Sequence, residues 1–578
     1  MVKLTRYCLL NILEHTINNL SVGFFEYEKR IVEWLSVFSL ICKEWNNDIL
    51  PRLTIKDIDV DLPLGRNLTK RLLKMRMNIK VVLMDGDSNT YLTSETDKEF
   101  SKSIEGHVYS IRAKISNQDD IDIYSRYFKS VSQFILLKTP LPLISNLFEG
   151  DYQFDNLTSL IMNIDLGSQG NILKHGKLQG TRNSWNLWKT LSKQCQVKDY
   201  QLTHITIDGC TPFGTFVDCD LDGFQNYKYP CLKLSLTRCI FNTPNLDEYL
   251  QQVSELYLSN VLIDPDAKLN GYNDIFRLLS QSRNLKCLRI NQSGKPSDAT
   301  LEGIAYLLNN TKSLRLFSFM DPKFEEALPG FSPVPIHNET LEFISGQFLK
   351  YWKSQSKIKR ILYAPNESLD FDSIYNYHCS QLASFSWCLR PEANVMSGQK
   401  SVLSRIAGLL SQNSIKTLHT LNIVSLIDAQ EKIVDLDLLL KSLQLNTHLR
   451  TLHITLPLEF KDFIEFIRSN HPTINTFSCL EILNFNLQEF NETLSKNTNL
   501  SNLTVKKKTT ISQDACSKEE LYDILQSIIS HCYISILKVP LLIPVSYACT
   551  KDQIDHLKSQ IQRQTNIIDI QLTNELTL

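Results

Sequence analysis

Residues 449–454 read LRTLHI and residues 500–505 read LSNLTV, and the two stretches share one spacing of apolar residues. Large apolar side chains stand at the first, fourth and sixth positions of each. On a β-strand, the fourth and sixth residues point to the same face of the sheet. The first residue comes earlier, where the chain turns into the strand. The spacing therefore predicts a short strand that buries one face and leaves the other in solvent.

The same spacing recurs along most of the chain, about every 20 to 45 residues, at or slightly above the periods typical of repeat architectures. A single copy predicts little, but a long series is hard to reach by chance. The alternative is an ordinary mixed α/β domain in which such strands are frequent. The further copies begin at Val131, Leu157, Leu202, Cys231, Val253, Leu285, Leu314, Ile358, Leu382, Leu418, Leu480, Ile534 and Ile567.

Between several strands the apolar residues change to helical spacing. Helices are predicted over residues 273–282, 301–310, 403–413, 436–445, 460–467, 519–529 and 553–561. Asn446 and Asn497 follow such runs, and asparagine suits helix ends and turns. Alternating strands and helices indicate parallel strands joined by crossovers. Because stacked units share a core that one unit cannot bury alone, we expect an α/β fold, a curved solenoid with its parallel strands on the concave face.

This pattern resembles the leucine-rich-repeat family, whose consensus is L-x-x-L-x-L-x-x-N/C-x-L. The ninth position holds the expected residue type at Cys210, Cys239 and Asn366. The resemblance implies that this residue lies inside and ties adjacent turns together. Most copies depart from it, so we expect an irregular leucine-rich-repeat solenoid over residues 131–578. Residues 54–130 are less regular and are interpreted as degenerate first repeats or a linking subdomain.

A separate helical segment is predicted before the repeats, where residues 35–51 read LSVFSLICKEWNNDILP. Its apolar residues recur every three or four positions and so fall on one helical face. The segment resembles an F-box, with the pattern L-x-x-L-x-x-V-C-x-x-W. The resemblance implies a small α-helical domain over residues 1–53 that docks on the Skp1 adaptor of a cullin-RING ubiquitin ligase. The alternative is a plain helical cap on the array. The docking face would comprise Leu35, Phe38, Ile41, Cys42 and Trp45.

The outward residues of the predicted strands form a long strip of mixed charge, which suits a protein partner. Because charges of both signs occur and the net charge is −1, neither nucleic acid nor a membrane is favoured as a partner. The strip does not encode the identity of the target. The residues expected to contact it are Glu255, Tyr257, Arg289, Arg360, Ser386, Asn422, His453 and Thr504.

No pattern in the sequence points to an enzyme, a metal or a cofactor. Residues 170–177 read GNILKHGK, one residue longer than a phosphate-binding loop and without its Ser or Thr, so we expect a flexible glycine-rich loop. The 14 cysteines include no CxxC pair, which argues against a zinc site and for buried free thiols in a reducing compartment. We therefore predict no catalytic residue and no cofactor.

The sequence shows neither a good signal peptide nor an apolar run long enough to span a bilayer, so we expect a cytoplasmic or nuclear location. The function expected from both resemblances is that of a substrate receptor of an SCF-type ubiquitin ligase, which recruits its target through the solenoid. The alternative is a leucine-rich-repeat scaffold or adaptor with no ubiquitin role.

Overall fold

The computed structural model divides into two compact units, Met1–Ile304 and Ala305–Leu578, and each is described by itself. The residues that it describes are 13–14, 31, 49–61, 63–84, 98–165, 171–174, 177–179, 185–186, 204–209, 215–220, 233–241, 253–263, 271–292, 299–320, 335–345, 348, 351–363, 380–389, 402–411, 415–425, 436–507, 509–510, 518–531, 534, 536–539, 541–543, 567–569 and 572–574.

The first unit is built on a sheet of nine strands, all parallel, and each strand pairs with the one named after it. These strands are β1 (Thr54–Asp59), β2 (Asn78–Met84), β3 (Val108–Ala113), β4 (Gln133–Pro140), β5 (Ser159–Asp165), β9 (His204–Gly209), β11 (Lys233–Thr237), β13 (Glu255–Ser259) and β15 (Cys287–Asn291). A second sheet of the same unit contains β6 (Asn171–Lys174), β7 (Lys177–Gln179), β8 (Trp185–Asn186), β10 (Thr215–Asp220), β12 (Cys239–Phe241) and β14 (Leu262–Ile263).

In the part of the first unit that the structure describes, helices connect β1 through β5 in succession and β13 to β15. They are α1 (Pro63–Lys74), α2 (Lys98–Ile104), α3 (Gln118–Ser125), α4 (Leu141–Glu149) and α5 (Tyr272–Ser280), and α6 (Leu301–Asn310) contains the boundary between the units. The start of α3 shows why the helix begins there. The Asn117 side chain accepts a hydrogen bond from the Asp120 backbone N–H at 3.0 Å, and the Asp120 carboxylate accepts one from the Asn117 N–H at 3.2 Å. These two bonds satisfy amides that the first helical turn leaves free.

The glycine-rich stretch near residue 174 is a β-hairpin in the part that the structure describes. Strands β6 and β7 pair antiparallel, with Lys174 opposite Lys177, and β6 also pairs with β10. The predicted flexible loop is therefore wrong for residues 171–174 and 177–179. The pairing with β10 is a non-local contact, which the glycine content of the stretch could not indicate. A phosphate-binding loop would lead from a strand into a helix, whereas the described residues on both sides of positions 175–176 are strands.

The second unit contains ten parallel strands, and each again pairs with the one named after it. They are β16 (Leu316–Met320), β17 (Phe343–Ser345), β18 (Arg360–Tyr363), β19 (Ser384–Leu389), β20 (Thr420–Ser425), β21 (Thr451–Glu459), β22 (Thr476–Leu483), β23 (Asn502–Val505), β25 (Ile536–Lys538) and β27 (Ile567–Asp569). The helices are α7 (Val402–Ser411), α8 (Leu436–Gln444), α9 (Phe460–Arg468), α10 (Leu487–Leu494) and α11 (Lys518–His531). A small parallel sheet contains β24 (Thr509–Thr510), β26 (Leu541–Ile543) and β28 (Leu572–Asn574).

The core of each unit consists of rows of apolar side chains at equivalent positions of neighbouring strands. Leu421, Leu452, Phe477 and Leu503 pair in succession from β20 to β23, and each is fully buried. Burying one such side chain contributes roughly 1.5–3 kcal/mol, so a continuous row is a large stabilising term. The predicted α/β architecture, with parallel strands and intervening helices, is confirmed. Its curvature stays a prediction.

One predicted copy of the repeat is wrong in register. Residues 474, 477 and 479 form one frame with the repeat spacing, and residues 480, 483 and 485, the predicted copy, form a second frame. In the structure Phe477 pairs with Leu452 and Leu503, whereas Leu483 is only partly buried. Pairing with strands on both sides selects the first frame, in which Cys479 rather than a leucine completes the buried face. Another copy of the second unit, over residues 341–346, was not predicted from the sequence. Its last position, which should be apolar, is Gly346.

Candidate binding surface on the sheet faces

Residues that alternate with the buried rows make up one face of each sheet, and this face carries the candidate site. In the first unit, Tyr257 on β13 lies between Ser235 of β11 and Arg289 of β15. Two positions earlier along the strands, Glu255 pairs with Lys233 and with Cys287. Strand alternation thus brings together side chains from three repeats that are distant in the sequence.

Tyr257 is the centre of a charged patch, which we define as Lys233, Glu255, Tyr257 and Arg289. The Lys233 Nζ lies 5.1 Å from the centroid of the Tyr257 ring, and the Arg289 Cζ lies 4.9 Å from it. Both distances allow cation–π attraction, which holds the ring between two cations. Burial is the main reason why the pKa values of the Tyr257 hydroxyl and the Cys287 thiol are raised, so both groups stay protonated near neutral pH.

The corresponding face of the second unit carries a different surface between β19 and β23. Ten outward positions on these five strands hold uncharged polar side chains, nine of them partly buried and Ser478 buried. The Asn422 Nδ2 donates a hydrogen bond to the Ser386 Oγ at 2.9 Å. We call this surface the neutral strip. Its members are Ser384, Ser386, Thr420, Asn422, Thr451, His453, Thr476, Ser478, Asn502 and Thr504.

His453 sits in the middle of the neutral strip and is its one titratable member. Burial, and to a lesser degree the nearby Lys506 ammonium, lower the pKa of His453 below its ordinary value. The imidazole is therefore neutral at physiological pH. The neutral strip can donate and accept hydrogen bonds without presenting a net charge.

The structure places all eight sequence-predicted contact residues on strands of the main sheets. Glu255, Tyr257 and Arg289 meet in the charged patch, and four others join the neutral strip. Arg360 lies on β18 opposite Ser384, at the border of the strip. Charged residues of the second unit lie beside the neutral strip, with Glu459 at the exposed end of β21 and Lys506 directly after β23. Strand order groups the uncharged residues of the strip, and the order is not visible in any single repeat. Whether these residues bind a partner stays a prediction.

The proposed docking face of the N-terminal segment lies outside the described residues. This applies to Leu35, Phe38, Ile41, Cys42 and Trp45. Among the described residues before Leu50, the Glu14 Oε1 accepts a hydrogen bond from the Thr54 backbone N–H at 2.8 Å, and Ile31 is fully buried. Glu14 therefore contacts the start of β1.

The sequence predicts Asn446 and Asn497 at helix ends and turns, but it did not reveal that they belong to a recurring set of buried polar residues that link repeats in the second unit. Each stands three residues before the first apolar position of its repeat. The Asn497 Oδ1 accepts from the backbone N–H groups of Asn499 and Leu500 at 3.2 and 2.9 Å, and its Nδ2 donates to the Ile467 carbonyl at 2.6 Å. We call these residues the linking residues. They are Asn338, Asn446, His471 and Asn497.

The linking residues have a signal that could have been found. The strings NETL, NTHL and NTNL, which begin at residues 338, 446 and 497, each start with Asn three positions before the apolar residue. At the family's own ninth position, Cys239 is fully buried, with its Sγ 4.0 Å from the Ile207 carbonyl of the adjacent repeat. The resemblance implied this kind of tie. Cys210 and Asn366 lie outside the described residues.

Charged and polar side chains pair with one another in a cleft of the second unit. A cleft of about 430 Å³ beside α9 contains the Arg468–Glu489 ion pair at 2.7 Å, and the Asn484 Nδ2 donates to Glu459 at 3.1 Å. No group of three or more His, Cys, Asp or Glu side chains that could hold a metal ion occurs among the residues the structure describes. In that same part of the chain, every helix is too short or too polar to cross a membrane.

No family model matches this chain, and no curated protein matches it.

Proposed function

We propose that this chain is a non-enzymatic leucine-rich-repeat protein that recruits a protein target through its sheet faces. Residues 1–53 form an F-box-like domain in this proposal and attach the chain to the Skp1 adaptor of a cullin-RING ubiquitin ligase. The chain then acts as a substrate receptor, and the ligase chemistry belongs to its partners. The observation that carries the binding role is the continuous outward face on parallel sheets of nine and ten strands.

The dimensions of the sheet faces favour a protein over a small ligand. At about 4.8 Å between neighbouring strands, each sheet measures on the order of 40 Å across. Small molecules bind in enclosed apolar pockets with a few polar groups, whereas protein footprints are broad. The charged patch also offers a tyrosine and an arginine side by side, and these residue types dominate binding energy at protein interfaces.

The adaptor-binding part of the proposal is tested by a pull-down of the full chain with Skp1. We expect the wild-type chain to bind Skp1 and the double variant Phe38→Ala, Trp45→Ala to lose binding, because both residues fall on the apolar helical face. The control is the double variant Lys43→Ala, Asn47→Ala. The helical period places these two residues on the opposite face, so the control should bind like the wild type. If the wild-type chain does not bind Skp1, the substrate-receptor role is wrong and the scaffold or adaptor role remains.

The target-binding part is tested by proximity labelling in the native cell. We expect Tyr257→Ala and Arg289→Ala to reduce labelling of the same protein, because each removes roughly 1–3 kcal/mol of contact energy. Exposed residues of the same types on helices serve as matched controls, Tyr306→Ala on α6 and Arg277→Ala on α5. Equal labelling by all four variants would show that the charged patch does not bind the target.

A further inference from the structure

His471 occupies a linking position where the neighbouring repeats carry asparagine. It stands three residues before Ile474, as Asn446 stands before Leu449 and Asn497 before Leu500. From this replacement we infer that His471 is an acid-sensitive joint, whose neutral imidazole holds two repeats of the second unit together and whose protonation releases them.

Three hydrogen bonds and a longer contact of 3.5 Å between Nδ1 and the Thr473 Oγ1 define the state of the His471 side chain, which is only 4% exposed. The Nδ1 atom lies 3.2 Å from the Thr473 backbone nitrogen and 3.0 Å from that of Ile474. Backbone N–H groups can only donate, so Nδ1 must be an unprotonated acceptor. The hydrogen therefore sits on Nε2, which donates to the Leu443 carbonyl at 2.8 Å, at the end of α8 in the preceding repeat.

A second proton on the imidazole removes this arrangement. The proton would occupy Nδ1 and face the two backbone N–H groups, so both amides would lose their acceptor in a buried place. An unsatisfied buried donor is costly, and three donors directed at one another add repulsion. The bonds that fail are those that orient the entry into β22.

The surroundings of His471 give protonation little support. The described charged side chains of the two flanking helices are Lys441 of α8 and Lys461, Asp462, Glu465 and Arg468 of α9. The titratable residues of the adjoining turns are His448 and Arg450 before β21 and Lys496 before β23. None of them contributes to the shift of the pKa of His471, which burial lowers from the ordinary value of 6.5. Hydrogen bonds to the carbonyls of Leu443 and Asn446 offset only part of that effect.

The direction of the pH effect follows from the difference between the pKa of His471 in the folded chain and its pKa in the unfolded chain. The unfolded chain binds the proton more readily than the folded chain does, so acid favours unfolding. The contribution of the joint is complete above pH 6.5 and is lost as the pH falls from 6.5 toward the folded-state pKa. For a single histidine, the opening constant rises by up to about 30-fold between pH 7.5 and pH 5.0.

Amide hydrogen exchange of the full chain tests the joint, read on residues 473–479 at pH 7.5 and pH 5.0 after correction for intrinsic exchange. We expect protection in the wild type to fall by up to about 30-fold at pH 5.0. His471→Asn should keep protection nearly constant, because asparagine makes the same three bonds at the neighbouring positions without titrating. An equal loss of protection in both proteins would overturn the inference.

Two further variants test the inference independently of His471→Asn. Asn497→His should create a new loss of protection at pH 5.0 over residues 499–505, and its absence in a folded variant would overturn the inference. His419→Asn removes an exposed imidazole outside the joint and should leave the wild-type pH dependence of residues 473–479 unchanged. If His419→Asn abolished that dependence, His471 would not be its source.

Discussion

Asparagine and histidine side chains at equivalent places decide how successive repeats of the second unit join. Asn446 reaches the Leu410 carbonyl of the preceding repeat at 3.3 Å while accepting from the backbone N–H groups of His448 and Leu449. The end of one helix and the entry to the next strand thus share one side chain. A helix end leaves carbonyl groups free, and the linking residue satisfies one of them.

At the residue scale we predict that Asn497→Ala destabilises the second unit by roughly 1–3 kcal/mol, because two backbone N–H groups and one carbonyl lose their buried partner. Urea denaturation followed by circular dichroism measures the loss. Lys496→Ala changes the adjacent exposed residue and should alter stability by no more than about 0.5 kcal/mol. Equal effects of the two variants would contradict the linking role.

The elements show where sequence patterns suffice and where they fail. The sequence predicts helix α6 over residues 301–310, and the helix is found at Leu301–Asn310, because its apolar residues fit the helical period without interruption. The predicted register of β22 is wrong, since two apolar frames overlap and only pairing with β21 and β23 distinguishes them. The sequence patterns also do not predict short strands such as β12 and β14. They are too short for a local period and depend on each other's backbone.

At the element scale we predict that Phe477→Ala costs about 3–5 kcal/mol of stability in the second unit, because the side chain is fully buried in the apolar row. Leu483→Ala changes a partly buried residue of the same strand and should cost about 1 kcal/mol. Thermal or urea unfolding of both variants measures the difference. A larger loss of stability in Leu483→Ala than in Phe477→Ala would favour the frame of residues 480, 483 and 485.

The sequence predicts the candidate site as a set of alternate residues, but not as two surfaces. The period of two along each strand identifies Tyr257 and Asn422 as outward. The position of Tyr257 between Lys233 and Arg289 depends on the order and register of neighbouring strands, and so does the grouping of ten uncharged residues in the neutral strip. One repeat cannot encode a property of its neighbours.

At the scale of the whole molecule, the two units present outward faces of different chemistry. Exposed charges such as Arg289 are screened by salt, whereas hydrogen bonds from uncharged groups are much less affected. Binding through the charged patch should therefore weaken as ionic strength rises, and binding through the neutral strip should change little.

Exposed apolar residues also occur on the helices. Leu438 on α8 is 43% exposed, and Leu445 beside α8 is 61% exposed. These exposed apolar residues make the helices the alternative location for the binding surface.

Site-specific photocrosslinking in the native cell distinguishes the sheet faces from the helices as the surface that binds the target. A photoreactive amino acid is introduced singly at Tyr257 and Asn422 on the sheet faces, and at Tyr306 and Leu438 on the helices. We expect a protein adduct from a sheet-face position and none from the helical positions. Adducts from the helical positions alone would contradict it.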